Sequence, residues 1–244
     1  MRDPGMIGAA FIAAISVAAV AVPAFAGDAL TTLASFNGTN GAVPIAGLTL
    51  SGGTLYGTTL YRGAGGYGTV FSVPATGGTP TTLVSFDGAN GAWPEAGLTL
   101  SGGTLYGTTY VGGANGDGTV FSVPVTGGPM TTLVTFNGAN GASPYAGLIL
   151  FGATLYGTTS QGGANGDGTV FAVPISGGPA VTLATFNGTN GKSPHTGLTL
   201  SGSTALVCRA VQGVAGECQA AIGNSPIGVI ECHQGRWCAT SGRN

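Results

Sequence analysis

The stretch TTLVSFDGANGAWPEAGLTLSGGTLYGTT at 81–109 decides the fold, because it returns with few changes fifty residues later as TTLVTFNGANGASPYAGLILFGATLYGTT at 131–159. An earlier copy, TTLASFNGTNGAVPIAGLTLSGGTLYGTT, opens at Thr31, and a fourth begins at Val181. The copies align without gaps, and a fifty-residue period marks an array or a propeller. Each copy holds four short runs rich in Thr, Val, Leu, Phe and Tyr, which in the second are Thr81–Phe86, Gly97–Leu100, Thr104–Thr109 and Gly118–Val123. They are too short for helices, and Gly or Pro bounds almost every one, so they read as strands. Ser101-Gly102-Gly103 and Thr126-Gly127-Gly128-Pro129 read as tight links whose glycines supply positive φ. Val120 beside Phe121 implies that both faces of each small sheet are covered.

The expected fold is therefore all-β: a β-propeller built from four-stranded blades, three complete and a fourth incomplete or divergent. An open β-repeat array or a β-solenoid is the alternative. Solenoid coils repeat at shorter periods, which fits a fifty-residue unit poorly.

The motifs LYGTT at 55–59, 105–109 and 155–159 and GTVF at 68–71, 118–121 and 168–171 resemble those of the GloVer tandem-repeat family of exported bacterial proteins, over about residues 31–204. The resemblance implies a secreted or surface-anchored bacterial protein, commonly with a C-terminal sorting signal, and no established activity. Residues 205–244 show no apolar helix followed by basic residues.

Residues 1–26 have the pattern of a signal peptide: Arg2 near the start, an apolar run from Met6 to Val22, and Ala24-Phe25-Ala26 before Gly27. The run is marginal for a membrane span. The expected localisation is secreted, extracellular or cell-surface, with no membrane span in the mature chain. Hydrophobic content of 43% suffices for a core, whereas 6% charged residues and a net charge of −2 leave no basic patch for nucleic acid.

After Ser201-Gly202-Ser203-Thr204 the repeat breaks into an unrelated tail, 205–244, which holds Cys208, Cys218, Cys232 and Cys238. A native cap and a disrupted reading frame both account for it. As a cap, the tail would add strands to Gly197–Leu200, and Thr31–Phe36 would complete that sheet. Four cysteines in an exported chain allow two disulfides with three connectivities. Zinc is disfavoured, since no C-x-x-C pair is present although His233 adjoins Cys232.

Catalytic groups are sparse. Asp87 and Glu95 share a loop, yet the third copy has Asn137 and Tyr145 there, so an Asx-capped turn is the plainer reading than an acid–base pair. No G-x-S-x-G elbow accompanies a histidine and an acid in usable order. The chain is expected not to be an enzyme, to need no cofactor, and to hold no metal. Asn115, Asp117, Asn165 and Asp167 in the GGANGDGT loops are the calcium candidates, but one carboxylate per loop is too few. An Asx turn in which Asp117 bonds nearby backbone is the alternative.

Antiparallel connection sends the two long loops, of the Asp87–Ala96 and Tyr110–Asp117 types, to one end of each blade. There the copies differ most: Val43, Trp93, Ser143 and Ser193 occupy one position, and Ile45, Glu95, Tyr145 and His195 another. Trp93, Glu95, Tyr110, Tyr145 and His195 are the candidate ligand-binding residues on this face, since aromatic side chains bury much area at little entropic cost. Drift at unconstrained loop tips would produce the same variability. The expected role is non-catalytic binding of a surface glycan or protein. A passive structural array of the cell envelope is the alternative, and a propeller hydrolase or lyase the remotest.

Overall fold

The structure, a computed structural model, describes residues 31–201 and, beyond them, strand residues 204–207, 218–220 and 230–232. The signal pattern at 1–26, Cys208, His233 and Cys238 lie outside the described residues. Among those described there is no helix, and none long and apolar enough to cross a membrane.

The chain forms three four-stranded antiparallel sheets, each confined to one period. Blade 1 comprises β1 (Thr49–Ser51), β2 (Thr54–Thr59), β3 (Thr69–Pro74) and β4 (Thr81–Ser85). Blade 2 comprises β5 (Thr99–Ser101), β6 (Thr104–Thr109), β7 (Thr119–Pro124) and β8 (Thr131–Thr135). Blade 3 comprises β9 (Ile149–Phe151), β10 (Thr154–Thr159), β11 (Thr169–Pro174) and β12 (Val181–Thr185). Strands pair in sequence order, so each blade is a meander. Ladders that close within one repeat are those of propeller blades; a solenoid would pair each coil with the next.

LYGTT and GTVF are two halves of one packing device. Gly107 stands opposite Phe121 in the β6–β7 register, and a Cβ on Gly107 would lie 2.5 Å from the Phe121 ring. Gly57 and Gly157 make the same room for Phe71 and Phe171. On the same face Phe86, from the end of blade 1, meets Phe121 edge-on at 5.2 Å, and Phe136 meets Phe171 at 5.0 Å. The paired threonines have their own reason. Thr109 and Thr119 are buried and share a hydroxyl–hydroxyl hydrogen bond of 2.9 Å, repeated at 2.8 Å by Thr59–Thr69 and Thr159–Thr169.

Alternation along the strands gives every blade a forward and a backward apolar face. Tyr56, Val70, Val84 and Phe86 of blade 1 pack against Leu98, Leu105, Phe121 and Val123 of blade 2. Tyr106, Val120, Val134 and Phe136 pack likewise on Leu148, Leu155, Phe171 and Val173 of blade 3. The faces that meet between successive blades are buried, as a stack of blades requires. First strands of successive blades converge: Thr49 Oγ1 donates to Leu98 O, and Thr99 Oγ1 to Leu148 O. A Cβ at Gly97 would lie 3.2 Å from Gly47 O, so glycine permits that approach.

The fourth unit starts in register. β13 (Leu198–Ser201) pairs with β14 (Thr204–Val207) as β1 pairs with β2, although the sequence after Thr204 has left the repeat. β15 (Cys218–Ala220) pairs with β16 (Ile230–Cys232), with Cys218 opposite Cys232 in the backbone register. The two hairpins are separate sheets.

Thr31–Phe36, expected to complete that sheet, carries no strand. It lies against blade 1 instead, where Phe36 meets Phe71 edge-on at 4.8 Å and Leu33 O accepts from Gly78 N. Leu133 O accepts from Gly178 N in the same way. The segment thus occupies the place of a blade's last strand, but among the described residues no third strand pairs with it in a ladder.

Candidate functional site

Both long loops lie at one end of each blade and are tied together by backbone hydrogen bonds. Ala92 and Val111 exchange N–H···O bonds, and Gly113 N donates to Gly88 O. At the opposite end the two glycine links meet, with Val125 N donating to Gly103 O. The rigid strands therefore present a continuous loop face on one side.

Each Asp87-type loop is closed by a reciprocal clip. Asp87 N donates to Asn90 Oδ1, and Asn90 N to Asp87 Oδ1. Asn137 and Asn140 form the same clip at 3.0 Å in both directions. Asparagine serves as well as aspartate because only the acceptor oxygen is used, so the Asp87 carboxylate is engaged in turn structure.

In the GGANGDGT loop, Asn115 Nδ2 donates to Phe136 O and Asn165 Nδ2 to Phe186 O, clipping the loop onto the end of the next strand. Gly112 O and Gly116 O accept backbone N–H groups from within the loop. Asp117 differs from the expected Asx turn: its main-chain carbonyl accepts from Ser143 N at 2.8 Å, as Asp167 O does from Ser193 N. Tyr67 O accepts from Trp93 N at the equivalent place. A backbone bond accepts any side chain, which is why the first copy tolerates tyrosine. Among the described residues, no three His, Cys, Asp or Glu side chains gather as a metal would require.

That backbone bond also fixes an unusual column. Val43, Trp93, Ser143 and Ser193 have φ of 61°, 57°, 55° and 46°. Such values are uncommon outside glycine and strained for a β-branched or bulky residue. The N–H of Trp93, Ser143 and Ser193 donates to the preceding loop, while the carbonyls of Val43, Trp93 and Ser143 accept from Leu60, Tyr110 and Ser160. A variable column of the repeat therefore lies in the left-handed region, and at Trp93 and Ser143 the bonds bridge two loops.

Two aromatic groups stand on this face. Tyr61 and Trp93 meet edge-on at 6.2 Å, both exposed, with Tyr67 exposed on the Tyr61 loop and Val43 exposed on the loop before β1. Tyr61 and Tyr67 were not singled out by the sequence, because later copies carry Val111, Gln161, Asp117 and Asp167 there. Reading those columns copy by copy would have found them.

The second group joins three periods. Tyr145 stacks on His195 at 4.7 Å and 22°, and its other neighbour, Tyr110, meets it edge-on at 6.0 Å. The Tyr145 hydroxyl donates to the Glu95 carboxylate. Glu95, Tyr145 and His195 are one column of the repeat, so side chains fifty residues apart converge. Burial raises the Glu95 carboxyl above its ordinary value, against the lowering effects of the Tyr145 hydrogen bond and the His195 charge. The Glu95 charge, then burial, the shared hydrogen bond and Tyr110 hold the Tyr145 phenol above its ordinary value.

A raised carboxyl favours folding while protonated, and that contribution is lost as pH rises from the unfolded value through the higher folded one. Glu95→Gln, always neutral and still able to accept from Tyr145, is thus expected to match the native chain near pH 4 and exceed it near pH 7 in thermal denaturation. A native chain more stable than the variant near pH 7 would contradict this sign.

None of the curated proteins matches the chain. Among solved structures, one chain of a nidogen/laminin complex is similar at 19% identity and a TM-score of 0.48, covering 66% of this chain and 53% of that one. A putative TolB from Agrobacterium tumefaciens is similar at 13% identity and 0.42, covering 75% and 58%. TolB from Acinetobacter baumannii gives 13% and 0.43, covering 75% and 38%. The chain thus spans less than two thirds of each of these proteins. A family described as the Gloeobacter/Verrucomicrobia repeat matches residues 22–219, reaching past 31–204 at both ends.

Proposed function

The chain belongs to the Gloeobacter/Verrucomicrobia repeat family, and from that premise we propose that it is a secreted or cell-surface binding protein, non-catalytic, whose long-loop face takes a glycan. The observation that carries this reading is the exposed Tyr61–Trp93 pair, seated on loops that the backbone holds rigid. Exposed aromatic rings in a polar, weakly charged surround suit the apolar faces of sugar rings, and two such rings lose little entropy when covered. The low charge of the chain favours a neutral saccharide. The signal pattern at 1–26 supports export. Glu95, Tyr145 and His195 are occupied with one another, and serve as a fixed acidic and aromatic edge to the same face.

A panel of neutral and acidic glycans tests this. Saturable binding with little salt dependence is expected, because few charges take part. Trp93→Ala and Tyr61→Ala should each weaken it about tenfold or more, the scale of a buried aromatic anchor, with an unchanged circular dichroism spectrum. Absence of glycan binding, or binding indifferent to both changes, would leave a protein ligand or a passive envelope array as the reading.

A further inference from the structure

The chain holds nine Asn–Gly pairs, all between Asn37 and Gly191. In such a pair glycine leaves its main-chain nitrogen uncovered, and that nitrogen can attack the asparagine side chain. A hydrogen bond on the glycine N–H, or packing that stops its peptide from turning, opposes the attack. Eight of the nine glycines have such a bond. Gly38 N, Gly138 N and Gly188 N donate to Gly41 O, Gly141 O and Gly191 O. Gly116 N and Gly166 N donate to Gly113 O and Gly163 O, and Gly41 N, Gly91 N and Gly141 N to Gly38 O, Gly88 O and Gly138 O.

Gly191 is the exception, and the break in the repeat is the reason. No hydrogen bond reaches its N–H among the described residues. Gly41, Gly91 and Gly141 are buried, and a Cβ on any of them would strike the hydroxyl of Thr59, Thr109 or Thr159. Gly191 is half-buried, and a Cβ there would come no closer than 3.5 Å, to the Phe186 ring. The residue that would replace Thr159 as its cover is Arg209, beyond the break. Each earlier loop is also braced from the next, Gly163 N donating to Gly138 O as Gly113 N does to Gly88 O. The matching donor for Gly188 O would fall at Gly213, outside the described residues.

We infer that Asn190 is a modification site, where the chain deamidates spontaneously while its eight other Asn–Gly pairs are protected. Gly191 N, its proton taken up by solvent base, attacks Asn190 Cγ. The Cγ–Nδ2 bond breaks, ammonia leaves, and water opens the resulting imide to aspartate or isoaspartate. The side-chain clip does not set Asn190 apart: its Nδ2 donates to Thr185 O at 3.1 Å, as Asn90 Nδ2 does to Ser85 O. The glycine is what differs. Either product loses that clip, since a carboxylate has no donor, so the loop is released from the end of β12 and gains a negative charge. His195 stands in the same loop, so the change reaches the last member of the Tyr145 stack. None of this depends on the glycan reading.

The purified full chain, kept folded at mildly alkaline pH, is sampled over days, digested in acid and mapped by mass spectrometry. Asn190 should convert about tenfold or more faster than Asn40, Asn90 or Asn140, the ratio that corresponds to about one hydrogen bond and its packing. In concentrated urea the nine pairs should react at closely similar rates, because the protection belongs to the fold. Asn190→Asp, which reproduces one product, should speed amide exchange at 187–191 and leave exchange in the strands of blades 1 and 2 unchanged. Conversion of Asn190 no faster than that of Asn140 in the folded chain, or a ranking that persists in urea, would overturn the inference.

Discussion

Phe121→Ala is expected to lower the unfolding free energy by about 3–5 kcal/mol, the range for deleting a fully buried phenylalanine. Its ring is wholly buried. It fills the space that Gly107 leaves on its own blade and meets the Phe86 edge from the preceding one. No neighbour can collapse into the hole without moving a strand, because glycine has no side chain to offer and Phe86 is anchored in the same core. The transition midpoint in urea should fall accordingly. Gly107→Ala probes the same device from the opposite side: an added Cβ would sit 2.5 Å from the ring, and overpacking of that kind costs about 1–3 kcal/mol. A loss under about 1 kcal/mol for Phe121→Ala would show that the blades do not share this core.

Gly118→Ala should be comparably damaging for a different reason. Gly118 has φ of +93°, and its Cβ would lie 2.4 Å from Thr109 O and 2.7 Å from Pro144 Cδ. One obstacle is backbone and the other a fixed ring, so neither yields as a flexible side-chain tip would. Gly116 supplies the internal control. Its φ is +82°, but nothing lies within 4 Å of the added atom, so Gly116→Ala carries only the backbone strain, about 1–3 kcal/mol. Gly118→Ala should exceed it clearly in chemical denaturation. Equal losses would mean that φ alone, and not the contact between loop and strand, makes this glycine necessary.

These two residues also mark what the sequence makes legible. Period, strand count, the two glycine links and the shared end of the long loops follow from alternation and antiparallel connection, and the strands fall within a residue or two of the expected runs. LYGTT and GTVF are visible as motifs, but the reason for them is not, since it depends on Gly107 and Phe121 facing each other across a ladder. The convergence of Glu95, Tyr145 and His195 is hidden for a similar cause. Their column is readable, yet only the packing of successive blades brings residues fifty apart into contact. The left-handed column is the least legible feature. Valine and tryptophan are poor choices for positive φ, and a following proline argues for extended backbone. At Trp93 hydrogen bonds to two different loops override both preferences, and at Val43 the bond from Leu60 N accompanies the same geometry. Thr31–Phe36 reads as a strand because it copies Thr81–Phe86, but a strand exists only with its partner.

The same contrast separates scaffold from surface. Strand residues recur because each meets a repeated neighbour, while Val43, Trp93, Ser143 and Ser193 share one backbone geometry and no common side chain. What is held constant at that column is therefore the bond pattern, and what varies is what the loop face displays.

The binding role of that face is tested most directly by the fluorescence of Trp93. The chain has two tryptophans, so Trp237→Phe leaves Trp93 as the single reporter. Titration with a glycan that the chain retains should shift and quench its emission along a saturation curve, with the same midpoint as binding measured independently. Saturable glycan binding that leaves the Trp93 emission unchanged would contradict the proposed site.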